Sequence, residues 1–132
     1  MTNDKEGTGG GEPQDGKRVF DLEERTAQFG EAVIHFVRTL PIDPVTRPLI
    51  SQAVRSSTSV GANYCEADNA SSKKDFRHRI RIVQREARET KHWMRMIVAA
   101  HPPAGTQARL IWREAHELHL IFSAILRRLR PD

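Results

Sequence analysis

The sequence predicts an all-α fold, an antiparallel up-and-down four-helix bundle, and three observations carry that prediction. Four stretches place apolar residues three and four apart, the period of a helix with one buried face. Short breaks containing Pro, Gly, Asn and Ser separate them, which implies that consecutive helices turn back on one another. Nowhere do apolar and polar residues alternate as they would along a strand. A chain of 132 residues suits a single domain and can bury a core without disulfides or a structural metal.

Residues 1–18 carry almost no apolar side chains, and four glycines fall within 7–11. They cannot offset the entropy of ordering, so a disordered polar tail is expected there, with the bundle domain over 19–132. The first helix is expected to start at Asp21, where Asp-Leu-Glu-Glu supplies a cap and a carboxylate three residues on. Leu22, Thr26, Phe29, Val33, Phe36, Val37 and Leu40 then share one face, and Pro41 ends the helix. The turn Pro41-Ile42-Asp43-Pro44 leads into a second helix that tolerates Pro44 or Pro48 in its first turn. Its inward stripe is Ile50, Ala53, Val54, Ser57, Gly61 and Tyr64. Ser57 and Gly61 are small and four apart, which allows a neighbouring helix to approach closely.

Asn69 to Ser72 forms the next break, and Ser72 with Asp75 three residues later caps the third helix. His101-Pro102-Pro103 stops it. Thr106 is expected to cap the fourth helix, whose core stripe is Ala108, Ile111, Ala115, Leu118, Phe122, Ile125 and Leu129.

Stepping residues at about 100° divides the third helix into three faces. Phe76, Ile80, Val83, Ala87 and Met94 form its core stripe. A second strip holds Ile82, Glu86, Glu89, Trp93 and Met96. Ile82, Trp93 and Met96 are candidates for an oligomer interface, and the alternative is a wide core that absorbs Trp93. Arg77, Arg81, Arg85, Arg88, His92 and Arg95 lie roughly opposite the core.

Charge sharpens the meaning of that last face. Residues 71–101 hold nine Lys or Arg against three acids, so the chain's net charge of +4 is concentrated there and the remainder is slightly acidic. A row of six basic residues without interleaved acids matches the footprint of a phosphate-tracking surface; an ordinary solvated face is the competing reading. An anionic partner, RNA or DNA, is the corresponding expectation.

Catalytic signals are weak. Glu89-Thr90-Lys91-His92 has the Glu-x-x-His spacing of a di-iron bundle site, but a second such motif is missing, since Glu114, His116, Glu117 and His119 are wrongly spaced. Arg55, Ser59, Asn63 and Glu66 cluster on one side of the second helix. With Glu86 and Glu89 they read either as acid–base machinery or as a structural polar network, and the network is preferred. Cys65 has no evident activating neighbour and no partner for an internal disulfide. The chain shows neither a P-loop nor a dinucleotide fingerprint. No enzyme, metal or cofactor is expected. A membrane span would need about 20 apolar residues in a row. No such run exists, and the N-terminus lacks the basic-then-apolar order of a secretion signal, so a cytoplasmic protein is expected.

Two motifs make the chain recognisable. The run from Arg55 to Ala67 (RSSTSVGANYCEA), then Asp75-Phe76, then Arg85 to Met94 (REARETKHWM) resembles the four-helix-bundle family of 23S rRNA intervening sequences. Phe20-Asp21-Leu22 and the turn at Pro41 are similar to it as well, so the likeness covers residues 19–130. Many relatives carry Glu-Gly where this chain has Glu66-Ala67. The resemblance implies a ring-shaped homopentamer with a central opening. One branch is similar to the accessory variability determinant of diversity-generating retroelements, a basic pentamer that partners a reverse transcriptase and nucleic acid. This chain looks closer to the intervening-sequence branch, whose name records where the genes lie. From a different functional class, a protein-interaction scaffold without nucleic-acid binding is the alternative.

Overall fold

A computed structural model describes residues 14–129 of the chain, with side chains from Leu22 onward. Four long helices follow one another: α1 (Gln14–Val37), α2 (Thr46–Asp68), α3 (Lys73–Ala100) and α4 (Gly105–Arg128). A single 3-10 turn, Pro102–Ala104, joins the last two. The described residues contain no strand. Of the expected polar tail, residues 1–13 lie outside the described ones and 14–18 fall within α1.

Helix α1 begins seven residues before Asp21, so the Asp21 cap is not its start. The sequence explains the difference: Pro13 stands just ahead of Gln14, where proline is compatible with a helix start, and only Gly16 weakens the stretch between. The helix stops at Val37, four residues short of Pro41. Thr39 closes it by donating its hydroxyl to the Phe36 carbonyl at 2.6 Å, and the Leu40 amide bonds to Val37. Pro41 therefore follows a finished end.

The second helix has a cap made from outside its own first residue. The Asp43 carboxylate accepts the amides of Val45 and Thr46, both at 2.8 Å, while the Thr46 hydroxyl donates to the Pro41 carbonyl at 2.6 Å. Amide donors hold the Asp43 carboxyl below its ordinary pKa, Thr46 first and Val45 second. Pro48 sits in the first turn, where its missing N–H costs nothing. Ser72 caps α3 by accepting the Asp75 amide at 3.1 Å. Thr106 does not cap α4. The helix starts at Gly105, directly on the 3-10 turn, and Thr106 is exposed within its first turn.

Burial follows the expected stripes with instructive additions. Phe29, Val33 and Phe36 from α1 meet Ala53, Val60 and Tyr64 from α2 in one cluster. Ile80, Val83, Ala87, Met94 and Ile97 from α3, and Ile111, Leu118 and Phe122 from α4, complete it. Each large side chain buried this way stabilises by about 1.5–3 kcal/mol. Ile50, Val54, Phe76 and Ile125 lie at its margins, half-buried, and Leu129 is half-buried as well.

The α2–α3 interface holds small polar residues that periodicity overlooks. Ser56 and Thr90 are fully buried, with their hydroxyls 2.8 Å apart, and Thr90 donates onward to the Glu86 carbonyl at 2.8 Å. Each hydroxyl is thus satisfied inside an apolar surround. On the α1–α2 side, a Cβ on Gly61 would sit 3.3 Å from the Thr26 carbonyl oxygen, so the two backbones meet where a side chain would intrude.

Helix α3 has the most extensive packing, against both α2 and α4, and α1 lies on α2. Contact between α1 and α4 is thin by comparison. Arg25 spans it, placing Nε and Nη2 on the Glu114 carboxylate at 2.7 and 2.8 Å and Nη2 on Glu117 at 2.7 Å. The paired acids, Glu114 above all, raise the Arg25 pKa further.

Candidate nucleic-acid interface

The basic face of α3 follows from its register. Because Phe76, Ile80, Val83, Ala87, Met94 and their neighbours turn inward, residues at 81, 85, 88, 92 and 95 must turn out. Arg81, Arg85, Arg88, His92 and Arg95 are all exposed. Arg77 is half-buried instead and donates to the Leu129 carbonyl at 3.3 Å, tying the end of α4. Its guanidinium is therefore partly committed to closing a helix terminus. Among the described residues, no acid lies within ion-pair distance of Arg81, Arg85, Arg88 or Arg95.

The acids nearest in sequence point elsewhere. Glu86 and Glu89 face α2, where Arg55 donates to Glu86 at 3.2 Å and also pairs with Glu89. Trp93 donates its indole N–H to the same Glu89 carboxylate at 2.9 Å. Arg55, Glu86, Glu89 and Trp93 thus form one connected group on the α2 side of α3. Asn63 belongs to a separate group, donating to Ser59 and accepting from Arg79 at 3.1 Å. Glu66 joins neither; it is exposed and lines a shallow cleft with Asn69, His78 and Arg79. Ile82, Trp93 and Met96 are half-buried, and Trp93 rests against the edge of the core.

The Glu89 and His92 side chains meet different surroundings. Glu89 is engaged by Arg55 and Trp93, while His92 sits outside with its ring edge-on to Trp93 at 4.9 Å. Among the described residues, no three His, Cys, Asp or Glu side chains gather in a way that would hold a metal ion. Cys65 is exposed and lines a groove between α1 and α2. No described helix is long and apolar enough to cross a membrane.

The fold also brings residues to the basic face that periodicity alone does not single out. Arg109 and Arg113 of α4 are exposed and share a groove with Arg95 and Val98 of α3. Trp112 stands between them, 39% exposed, with Lys91 Nζ lying 5.1 Å from the centroid of its ring. His116 stacks on the indole at 5.2 Å and contacts Lys91 Nζ at 3.0 Å through Nδ1. Burial, and secondarily the Arg88 charge, lower the Lys91 pKa. The sequence signal for this group was available: Arg109-x-x-Trp112-Arg113 puts an aromatic among cations on a polar face.

Residues 20–124 match the family model of the 23S rRNA-intervening sequence protein. The chain belongs to this family. A solved structure of a protein of unknown function from the S23 ribosomal protein family of Bacteroides thetaiotaomicron is similar in both sequence and fold. It shares 25% identity, covers 80% of this chain and 97% of its own, and superposes with a TM-score of 0.69. No curated protein matches. Within the 23S rRNA-intervening sequence family, then, this chain combines the four-helix fold with a row of exposed arginines along α3.

Proposed function

We propose that this chain is a non-enzymatic, homo-oligomeric nucleic-acid-binding protein that presents the outer face of α3 to RNA or DNA. One observation carries the reading: Arg81, Arg85, Arg88 and Arg95 are exposed on a single face, and the two acids interspersed with them on α3, Glu86 and Glu89, pair with Arg55 instead. Guanidinium groups in a row along a helix suit a phosphate backbone and carry no base readout by themselves. A nucleic-acid-processing partner such as a reverse transcriptase would meet the same surface if this chain acts as the retroelement branch does.

The antiparallel up-and-down arrangement has support in the contact order. Arg55 meets Glu86 and Glu89 whereas Asn63 meets Arg79, and Gln84 meets Ser123 whereas Lys91 meets His116. Oligomerisation into a ring, pentameric by family resemblance, uses the strip of Ile82, Trp93 and Met96 in this reading. Trp93 of this strip bonds to Glu89 on the α2 side of α3, and His92 of the basic row packs edge-on against it, so the interface and the basic face adjoin.

The test is a titration of the full chain with labelled mixed-sequence RNA and DNA across a salt series. Phosphate contact requires affinity to fall steeply with salt, and Arg81→Glu with Arg85→Glu should abolish it. Absence of binding at low salt would favour a protein-interaction scaffold.

A further inference from the structure

Between the C-terminal half of α3 and the start of α4 lies a groove of about 450 Å³, within the range of small-molecule sites. Its inner surface is apolar, formed by Met94, Val98 and Ala108, and Trp112 stands at one side. Its polar lining side chains are Arg95, Arg109 and Arg113, all exposed, and among the described residues no acid lines it.

The indole has two distinct sides. His116 stacks on it at 5.2 Å with the ring planes 16° apart, and His116 follows Trp112 by one turn of α4. Of the groove's α4 residues, Gly105, Ala108 and Arg109 precede Trp112 and Arg113 follows it; its α3 residues, Met94, Arg95 and Val98, all follow Lys91, and neither Lys91 nor His116 lines it. The groove therefore lies on the side of the indole away from His116. His116 and Lys91 back the ring, which keeps it upright and ready to stack on a second flat group.

A ligand for this groove needs a flat, largely apolar ring with anionic groups close on either side. A nucleotide within a strand has that form. In a duplex the base faces are stacked and hidden, whereas a single strand offers them to aromatic side chains. We infer that the groove takes an unpaired base of a single-stranded nucleic acid, stacked on Trp112, with its flanking phosphates on Arg95, Arg109 and Arg113. The inference rests on the nucleic-acid reading above and deepens it. The α3 row tracks phosphates of any strand, and the groove distinguishes single strand from duplex. An acidic peptide with an apolar side chain is the competing occupant, less suited to a site built from a backed indole and three guanidinium groups.

The experiment uses the full chain with a labelled oligouridylate and, in parallel, a blunt RNA duplex of equal length. Trp112→Ala should weaken single-strand binding by roughly 5- to 150-fold and weaken duplex binding far less, because a duplex hides its base faces. Trp112→Phe should restore most of the loss, because a phenyl ring still stacks. In the unaltered protein, oligouridylate should quench tryptophan emission, and the quenching should vanish in Trp112→Ala; circular dichroism confirms that each variant is folded. If Trp112→Ala leaves single-strand affinity and quenching intact while Arg81→Glu with Arg85→Glu abolishes binding, the groove inference fails and phosphate tracking stands. If neither oligonucleotide binds at low salt, both fail. Quenching by a Glu- and Leu-rich peptide but not by oligouridylate would assign the groove to a protein and overturn the inference.

Discussion

The indole N–H of Trp93 donates to the Glu89 carboxylate at 2.9 Å, and Arg55 of α2 grips that same carboxylate. A side chain that is only half-buried is thereby held in one orientation by a charge-assisted contact across two helices. Held aromatic groups of this kind lose little entropy when a second surface covers them, which suits an interface anchor.

Trp93→Ala should therefore lower the solution mass of the assembly while leaving the helical circular dichroism of the protomer intact. Light scattering and circular dichroism on the same sample check this. Simultaneous loss of mass and helicity would make Trp93 a core residue.

Arg25 is the main polar tie across the thin α1–α4 contact. Arg25→Ala should reduce stability by about 1–2 kcal/mol in urea unfolding, since charge-assisted bonds that are only part-buried are lost. Arg25→Lys should recover only part, because an ammonium cannot reproduce the two-point contact with Glu114.

Gly61 lies where α1 and α2 approach, and its added Cβ would meet the Thr26 backbone at 3.3 Å. Gly61→Val should destabilise by about 1–3 kcal/mol, because backbone cannot yield as a side-chain tip would. An unchanged urea midpoint would show that the helices separate freely there.

His119 supplies a pH dependence with a defined sign. Burial lowers its pKa below the ordinary 6.5, with the charges of Lys91, Arg88 and His116 acting in the same direction and a bond to the Gln84 carbonyl opposing. The unfolded chain then takes up the proton first as pH falls below about 6.5, so the contribution to stability is intact above that value and lost towards the folded pKa. His119→Gln should flatten stability against pH in that window. An unaltered slope would place the titration in another group.

The large apolar residues of the fold were readable in the sequence because they recur at helical spacing. Phe29, Val33, Ile80, Val83, Leu118 and Phe122 are buried where periodicity puts them. Ser56 and Thr90 were not readable. Both are polar by type, and only their mutual hydrogen bond makes burial tolerable, a fact that depends on which helices pair. The capping role of Asp43 was hidden for a related reason, since it acts three residues ahead of Thr46 through a turn. The outward arginines of α3 follow from one helix wheel. Their continuation through Lys91, Arg109, Trp112 and Arg113 requires α3 beside α4, which no single-helix pattern contains. Arg77 shares the wheel position of the row yet turns onto the Leu129 carbonyl, a contact that also depends on how α3 and α4 pair.

The most direct test of the central claim is the slope of log affinity against log salt for duplex DNA, measured for the unaltered chain and for Arg81→Ala with Arg85→Ala. If these arginines each neutralise a phosphate, the double substitution should make the slope shallower by about 1.8. An unchanged slope, or no binding at low salt in either protein, would contradict the assignment of the α3 face to nucleic acid.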